Sequence, residues 1–296
     1  MSKRLAFFGH VNIDVVLVTP DLHRQGSSEV TAVREEFGGT AGNFAIVASR
    51  IGVSFDLYGA ISRSTHARYI EFLKSLGIDT STLTVSDDTM GPICYIVTNR
   101  NDQIYYMHQG PMGSWSPTVS DLRRTDYDRV HFSTGPLDRY SAMASDISAQ
   151  ITFDPGQEIN YRYSKGDIEA MLSRSRILIL NEYEMSLMTK ILGRSESDIA
   201  DACESVIVTQ GQNGATLYTE GEIIHADSIP AASVKDTVGA GDSFRAGLYF
   251  GLQNGYDMAD SVTFGQISAS RSIETGIRDF DFDAGRMIAE FDRIRK

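Results

Sequence analysis

Two glycine-rich stretches hold most of the chemistry that the residues themselves suggest. The first is Asp236-Thr237-Val238-Gly239-Ala240-Gly241-Asp242-Ser243-Phe244, which joins a strand-like AASV (231–234) to a helix with Phe244, Gly247, Leu248 and Gly251 at i, i+3, i+4 and i+7. Gly239 and Gly241 can take φ values closed to other residues. With Ala240 they leave backbone amides bare at a helix N-terminus, a place that binds anions. Asp242 in that first turn also has a purely structural explanation, because a carboxylate there favours the helix dipole and caps free amides. The second stretch runs from Phe37 to Gly52, where the pair Gly38-Gly39 leads into a helix with Phe44, Val47, Ala48 and Ile51 on one face. Asn43 then lies near the helix N-terminus with its amide free to bind hydroxyls, or simply caps a glycine-rich turn.

Other nucleotide and hydrolase motifs fail. A dinucleotide fingerprint needs a third glycine where Phe244 stands and belongs in an N-terminal βαβ unit. No Gly-Lys dipeptide occurs for a P-loop and no Gly-x-Ser-x-Gly for a nucleophile elbow. The six histidines never fall at i, i+3 or i, i+4, so helical His-pair metal sites are absent and each reads as a lone structural or surface residue. Cys94 and Cys203 lack C-x-x-C spacing and read as two buried thiols.

The elements that must position these stretches follow from periodicity. LAFFG (5–9), FDLYGA (55–60), RVHFS (129–133), ITFD (151–154), ILIL (177–180) and VIVT (206–209) read as strands covered on both faces. Helical patterns at 65–77, 138–150, 164–175, 182–193 and 195–203 alternate with them, several opened by Ser, Thr or Asp. That alternation predicts an α/β fold, a mostly parallel central sheet with helices on both faces. VVLVT (15–19) with EVTAVREEF (29–37), and ICYIVTN (93–99) with QIYYMHQ (103–109) about a turn at Arg100, Asn101 and Asp102, look like hairpins. We read them as a small antiparallel lid inserted from about 10–37 and 90–110 into one domain spanning 1–296. Strand alternation puts Ile104, Tyr106 and His108 on one lid face and Tyr105, Met107 and Gln109 on the other.

Composition narrows the function classes. Twenty-seven Lys and Arg against 39 Asp and Glu give a net charge of −12 without a basic cluster, which argues against a nucleic-acid partner. No segment approaches an uncharged membrane-spanning run, and the four apolar residues from Leu5 to Phe8 are too few for a secretory core, so a cytoplasmic address is the default expectation. Exposed lid strands could pair across a homodimer.

Taken together, Gly38 to Gly52 and Asp236 to Phe244, in this order and separation, resemble the two signatures of the ribokinase-like, PfkB-type carbohydrate kinase family. Gly9-His10-Val11-Asn12-Ile13-Asp14 is similar to the family's first strand and its sugar-binding Asp. Asn181-Glu182-Tyr183-Glu184 follows a strand as the family's Asn-x-x-Glu motif does, and Val208-Thr209-Gln210-Gly211 resembles its nucleotide-loop strand end. The resemblance spans nearly the whole chain and implies a ribokinase-like fold with a β-sheet lid.

It also implies ATP as co-substrate and transfer of the γ-phosphoryl group to a primary hydroxyl. On that reading Asp242 takes the hydroxyl proton late in a loose transition state, for which a carboxylate of ordinary pKa suffices, while amides of Gly239, Ala240 and Gly241 stabilise charge on the transferred group. Asn12, Asp14, Gly39 and Asn43 hold the acceptor's hydroxyls, and Asn181, Thr209 and Gly211 line the nucleotide. Glu184, with Asn181, organises Mg²⁺ through water, and Asp236 is the candidate for a monovalent-cation site of the kind found in some relatives. The Gly-Gly-Thr-Ala-Gly-Asn form at 38–43 lacks the Lys that follows the glycine pair in ribokinases, and GHVNIDVVLV (9–18) is most similar to archaeal-type, broad-specificity nucleoside kinases of the family. A nucleoside phosphorylated at its 5′-hydroxyl is therefore the expected acceptor. Ribokinase, fructokinase or phosphosugar kinase, the last using Arg24, Arg34, Arg63 or Arg100, is the enzymatic alternative, and a non-catalytic sugar or nucleotide sensor the other.

Overall fold

A computed structural model describes residues 4–22, 26–87, 89–99 and 102–295. In chain order its first half contains β1 (Leu5–Phe8), β2 (Asn12–Val18), β3 (Ala32–Gly38), α1 (Thr40–Ile51), β4 (Phe55–Tyr58), β5 (Ala60–Ser62), α2 (Arg63–Ser75), β6 (Thr84–Ser86), β7 (Ile93–Thr98), β8 (Gln103–His108), β9 (Arg129–Phe132) and α3 (Leu137–Ala144). The second half contains β10 (Gln150–Phe153), α4 (Lys165–Leu172), β11 (Ile177–Asn181), α5 (Glu182–Leu192), α6 (Glu196–Ala200), β12 (Ser205–Thr209), β13 (Ala215–Thr219), β14 (Glu222–Ala226), α7 (Ala240–Gln253), α8 (Met258–Thr275) and α9 (Ala284–Ile294).

Strands of continuous apolarity form the centre of one sheet in the order β14-β13-β12-β11-β10-β9-β1-β4, parallel from β12 to β4. Alternation within each strand divides the core in two. Leu5, Phe7, Ile177 and Ile179 pack with α1, α7 and α8, whereas Ala6, Phe8, Leu178 and Leu180 pack with α3, α4 and α5. Each strand is therefore apolar on both faces, as a covered parallel sheet requires. A second sheet has the order β3-β2-β7-β8. Its two hairpins are antiparallel, but β2 pairs with β7 in parallel, so the insertions meet in a mixed sheet rather than a wholly antiparallel one. Its outer face leaves Val33, Tyr95, Ile104 and Tyr106 exposed.

Several elements differ from the periodic reading. AASV forms no strand. Instead the amides of Lys235 and Asp236 donate to the Ile273 carbonyl at the end of α8. FDLYGA divides at Gly59, with Ala60 passing into a short parallel pair with β6. The helix expected over 138–150 stops at Ala144, and β10 already begins at Gln150. The hairpin β13–β14 and the helices α8 and α9 were not anticipated. The hairpin turns on Glu220 and Gly221, both at positive φ, which is the two-residue geometry that a strand pair favours. Arg100 and Asn101 of the expected lid turn, and Arg24, lie outside the described residues.

Helix α7 is buried all round from Asp242 to Leu252, and its glycines explain how. A β-carbon on Gly247 would run into the backbone carbonyl of Phe264, and one on Gly251 would meet Ser261 at 2.7–2.8 Å. From the other side, Gly265 of α8 faces the Phe244 ring, which a β-carbon would meet at 2.7 Å. The small residues let α7 and α8 approach at backbone distance, and this packing holds the α7 N-terminus in place. No helix among the described residues is long and apolar enough to cross a membrane.

The same substitution should act with opposite sign at two helical glycines. Gly247→Ala is expected to lower the melting temperature, because overpacking there costs about 1–3 kcal/mol. Gly166→Ala on α4, where a β-carbon finds only Ser164 Oγ at 3.8 Å, should leave it unchanged or raise it by the gain in helix propensity. Thermal scans of the two variants check this.

Candidate active site

The C-terminal ends of β1, β11 and β12, the starts of α1 and α7, and one face of the small sheet enclose a cavity of about 370 Å³. Parallel sheets commonly bind ligands at this end, where helix N-termini converge. Both helices start after a glycine at positive φ, Gly39 at 87° and Gly239 at 75°, and neither has a side-chain cap. At Gly39 a side chain is excluded outright, since a β-carbon would lie 2.5 Å from the His10 carbonyl oxygen and 2.6 Å from the Asn12 nitrogen.

The two helix starts differ in what their amides do. In α1 the Ala41 and Gly42 N–H groups donate to His10 O at 2.9 and 3.2 Å. In the α7 loop the amides of Gly239, Gly241 and Asp242 have no acceptor among the described residues, and Ala240 N only reaches Thr237 O at 3.4 Å. The capacity to bind an anion therefore resides at α7. Asp236 accepts the Val238 N–H at 2.9 Å, which shapes the loop, and it does not line this cavity.

Asp242 is buried at the mouth of α7 without acting as a cap. Its Oδ2 accepts from Asn43 Nδ2 at 2.9 Å and its Oδ1 from Arg245 Nη1 at 3.2 Å. Asn43, expected to present a free amide, thus spends one donor on Asp242. Burial pushes the Asp242 carboxyl up from the ordinary 3.8 to about 7. Arg245 and the Asn43 hydrogen bond pull against that, and Asp154 adds to it. An ordinary pKa would suffice for a proton acceptor; a carboxylate poised near neutrality is a stronger base than an exposed one.

Asn12 and Asp14 on β2 point the other way in their bonding, since Asn12 Oδ1 and Asp14 Oδ1 are buried with no hydrogen-bond partner among the described residues. Such atoms are costly unless a ligand's donors meet them. Burial, then Glu36 and Asp242, raise the Asp14 carboxyl to about 7. Gly38 leaves room for it, because a β-carbon there would run into the Asp14 carboxylate.

Asn181 and Glu184 close a reciprocal capping box on α5: Asn181 Oδ1 accepts the Glu184 N–H at 2.8 Å, and Glu184 Oε2 the Asn181 N–H at 2.9 Å. Yet Glu184 is only 6% exposed, and it lines the cavity. Burial and then Asp154 push its carboxyl up to about 7, with Asp242 adding further. Thr209 lies on the cavity wall at the end of β12, its hydroxyl donating to Leu180 O at 3.3 Å. Gly211 does not reach the wall; it begins an exposed turn beyond β12.

The small sheet contributes Cys94, Ile96, Tyr105 and Met107 to the cavity, so of the two faces of β8 the one carrying Tyr105 and Met107 turns inward. Gln109, next on that face, ties the sheet to the body. Its Nε2 donates to Glu158 Oε1 at 2.7 Å, and its Oε1 accepts from His10 Nε2 at 2.8 Å and Arg162 Nη1 at 3.1 Å. His10 Nδ1 meets Thr134 Oγ1 at 2.8 Å. His10 is thus a member of the cavity wall, not a lone histidine. Cys94 is buried, but Cys203 is only half-buried. Motif reading also passed over Arg245 and Asp154; a charged residue closing the apolar strand ITFD was the available signal.

Residues 2–277 match the pfkB family carbohydrate kinases. The chain belongs to this family. It is 40% identical to a nucleoside kinase of Thermoplasma acidophilum across 99% of this chain and 97% of that protein, and 27% identical to a nucleoside kinase of Methanocaldococcus jannaschii across 92% and 91%. The solved structure of a Methanocaldococcus jannaschii nucleoside kinase, an archaeal member of the ribokinase family, superposes with a TM-score of 0.87 at 25% identity, covering 98% of each chain. The architecture described above is therefore the ribokinase-like fold, and the chain is a kinase of the pfkB family that uses ATP to phosphorylate an alcohol group.

Asp242 has a consequence for stability. With its carboxyl at about 7 in the folded state and 3.8 when free, the native protein binds the extra proton between these values, so stability is lost as pH rises from 3.8 through 7. Asp242→Asn removes that loss. Its melting temperature relative to the parent should climb across this window, as thermal scans from pH 5 to 8 would record.

Proposed function

We propose that this kinase transfers the γ-phosphoryl group of ATP to the 5′-hydroxyl of a nucleoside with broad acceptance of the base. The observation that carries the reading is the company Asp242 keeps in one cavity: bare α7 amides on one side, the unpartnered Asn12 and Asp14 oxygens on another, and the Tyr105 and Met107 face opposite. The 40% identity to a nucleoside kinase over nearly the whole chain supports the same substrate class.

In this mechanism Asn12, Asp14 and the Gly39 backbone orient the ribose hydroxyls, and Tyr105 and Met107 offer a flat, polarizable surface to the base. Asn43 steadies Asp242 rather than the sugar alone. Asp242 accepts the 5′-hydroxyl proton as the oxygen bonds to the γ-phosphorus and the bond from that phosphorus to the β-phosphate oxygen breaks, releasing ADP. The amides of Gly239, Ala240 and Gly241 donate to the transferred group where its charge develops. Asn181 and Thr209 line the nucleotide end of the cavity; Gly211 is left to a more peripheral part.

Glu184 fits a hydrated divalent cation, because it is buried in the field of Asp154 and Asp242, feels Arg245 only at a distance, and forms no ion pair among the described residues. Mg²⁺ held there through water by Glu184 and Asn181 would neutralise charge on the nucleotide's phosphates. For a phosphorylated acceptor the described candidates give no support in this cavity: Arg34 pairs with Glu36 and Arg63 with Asp87, and neither lines it.

Two measurements test the reading. The value of kcat/KM should be higher for at least one of inosine, guanosine, adenosine and cytidine than for ribose, fructose or fructose 6-phosphate; a free sugar or phosphosugar ahead of every nucleoside refutes it. Glu184→Gln should raise the Mg²⁺ concentration for half-maximal rate by about tenfold, the order expected when a partner of the metal's shell is lost. An unchanged Mg²⁺ titration would return Glu184 to capping alone.

A further inference from the structure

We propose that Arg245 is the positioning residue that fixes Asp242 for proton transfer, by bridging it to Asp154 at the end of β10. The inference rests on the reading of Asp242 as the proton acceptor.

Arg245 lies one turn along α7 from Asp242, with its side chain only 10% exposed. Its Nη1 donates to Asp242 Oδ1 at 3.2 Å, its Nη2 donates to Asp154 Oδ1 at 2.7 Å, and its Nε ion-pairs with Asp154 Oδ2. Asp154 is wholly buried and is itself held by His131 Nε2 at 3.3 Å. The guanidinium is thus hydrogen-bonded to Asp154 through Nη2, with Nε in ion-pair contact only, and reaches Asp242 through Nη1. From the opposite side Asn43 Nδ2 grips Asp242 Oδ2. Both oxygens of one carboxylate are held, each by a different element, so its plane and distance from the α7 amides are set before any substrate arrives. Gly241 is part of the arrangement, because a β-carbon there would lie 3.0 Å from Arg245 Nη1 and crowd the bridge.

Stability alone is a poor reason for this cluster. A buried ion pair pays a desolvation penalty that well-packed apolar side chains avoid. Among the described residues lining the cavity, Arg245 is the one Arg or Lys, against Asp14, Glu158, Glu184 and Asp242. A free guanidinium in that setting would serve the nucleotide's phosphates. Here its donors are turned onto Asp154 and Asp242, which points to orientation of the base instead.

The test compares Arg245→Met, Arg245→Lys, Asp154→Asn and Asp242→Asn in steady-state assays with inosine and ATP, after circular dichroism has established folding. Arg245→Met should lose about 30- to 100-fold in kcat, the scale on which misplacement of a reacting group acts, with KM for both substrates within about threefold. Arg245→Lys should recover only part, since an ammonium keeps the charge but cannot span two carboxylates. Asp154→Asn should follow Arg245→Met in direction. Wild-type kcat in folded Arg245→Met overturns the proposal, and so does a rise in KM for ATP as large as the fall in kcat, which would make Arg245 a phosphate contact. If Arg245→Met does not fold, wild-type kcat in both Arg245→Lys and Asp154→Asn overturns it. Inactive Asp242→Asn beside normal Arg245 variants removes the bridge alone, whereas active Asp242→Asn removes the base reading and the bridge with it.

Discussion

Carboxylates held out of water around a single guanidinium set the terms for the rest of this structure. Asp14, Glu184 and Asp242 are each pushed up to about 7 by burial, and the latter two lie in the field of the fully buried Asp154. Asp154 itself is kept below the ordinary carboxylate range, since Arg245 and His131 outweigh its burial. Raised carboxyls of this kind cost stability as the pH climbs towards neutrality. The same excess of negative charge prepares the cavity for cations and for hydroxyl donors.

The scaffold achieves this through close approach of backbones. Glycines on α7 and α8 bring the two helices to contact, so the start of α7 cannot drift relative to the sheet. Asp242 and Arg245 then occupy fixed heights above the ends of β10 and β11. Glycines at 38, 39, 239 and 241 act locally in a different way. Those at 39 and 239 permit backbone conformations at positive φ, while those at 38 and 241 make space for the Asp14 carboxylate and the Arg245 guanidinium. A glycine-rich motif here is as much about what a β-carbon would strike as about bare amides.

The small sheet joins the main apolar core through Ile13, Ile93, Val15 and Phe37, and polar groups tie its cavity side to this centre as well. Val16, Cys94 and Ile96 form a minor cluster of their own, and Gln109 links the sheet to His10, Glu158 and Arg162. Hydrogen bonds of this kind can be exchanged for bonds to a ligand at small net cost, unlike apolar packing.

Much of this was legible before folding. Apolar runs covered on both faces marked the parallel strands, because a strand buried on two sides has no polar alternation to hide it. The glycine stretches marked both helix starts and, with them, Asp242 and Asn43. The Ser-rich α8 escaped notice because its buried Ser261 and Ser268 are small residues that meet the α7 glycines Gly251 and Gly247, and they add nothing to an apolar stripe. The hairpin β13–β14 was missed although Glu220-Gly221 advertised it. What sequence alone determined was which residue types stand beside which local backbone: amides at a glycine-led helix start, a carboxylate in its first turn, an Asn-x-x-Glu after a strand. Tertiary structure alone decided that Asp154, some 90 residues from Arg245, completes its bridge, that the Tyr105 face rather than the Tyr106 face turns inward, and that Gly211 stays outside. Those outcomes depend on distances and burial between segments remote in the chain, and a local pattern of residues contains neither.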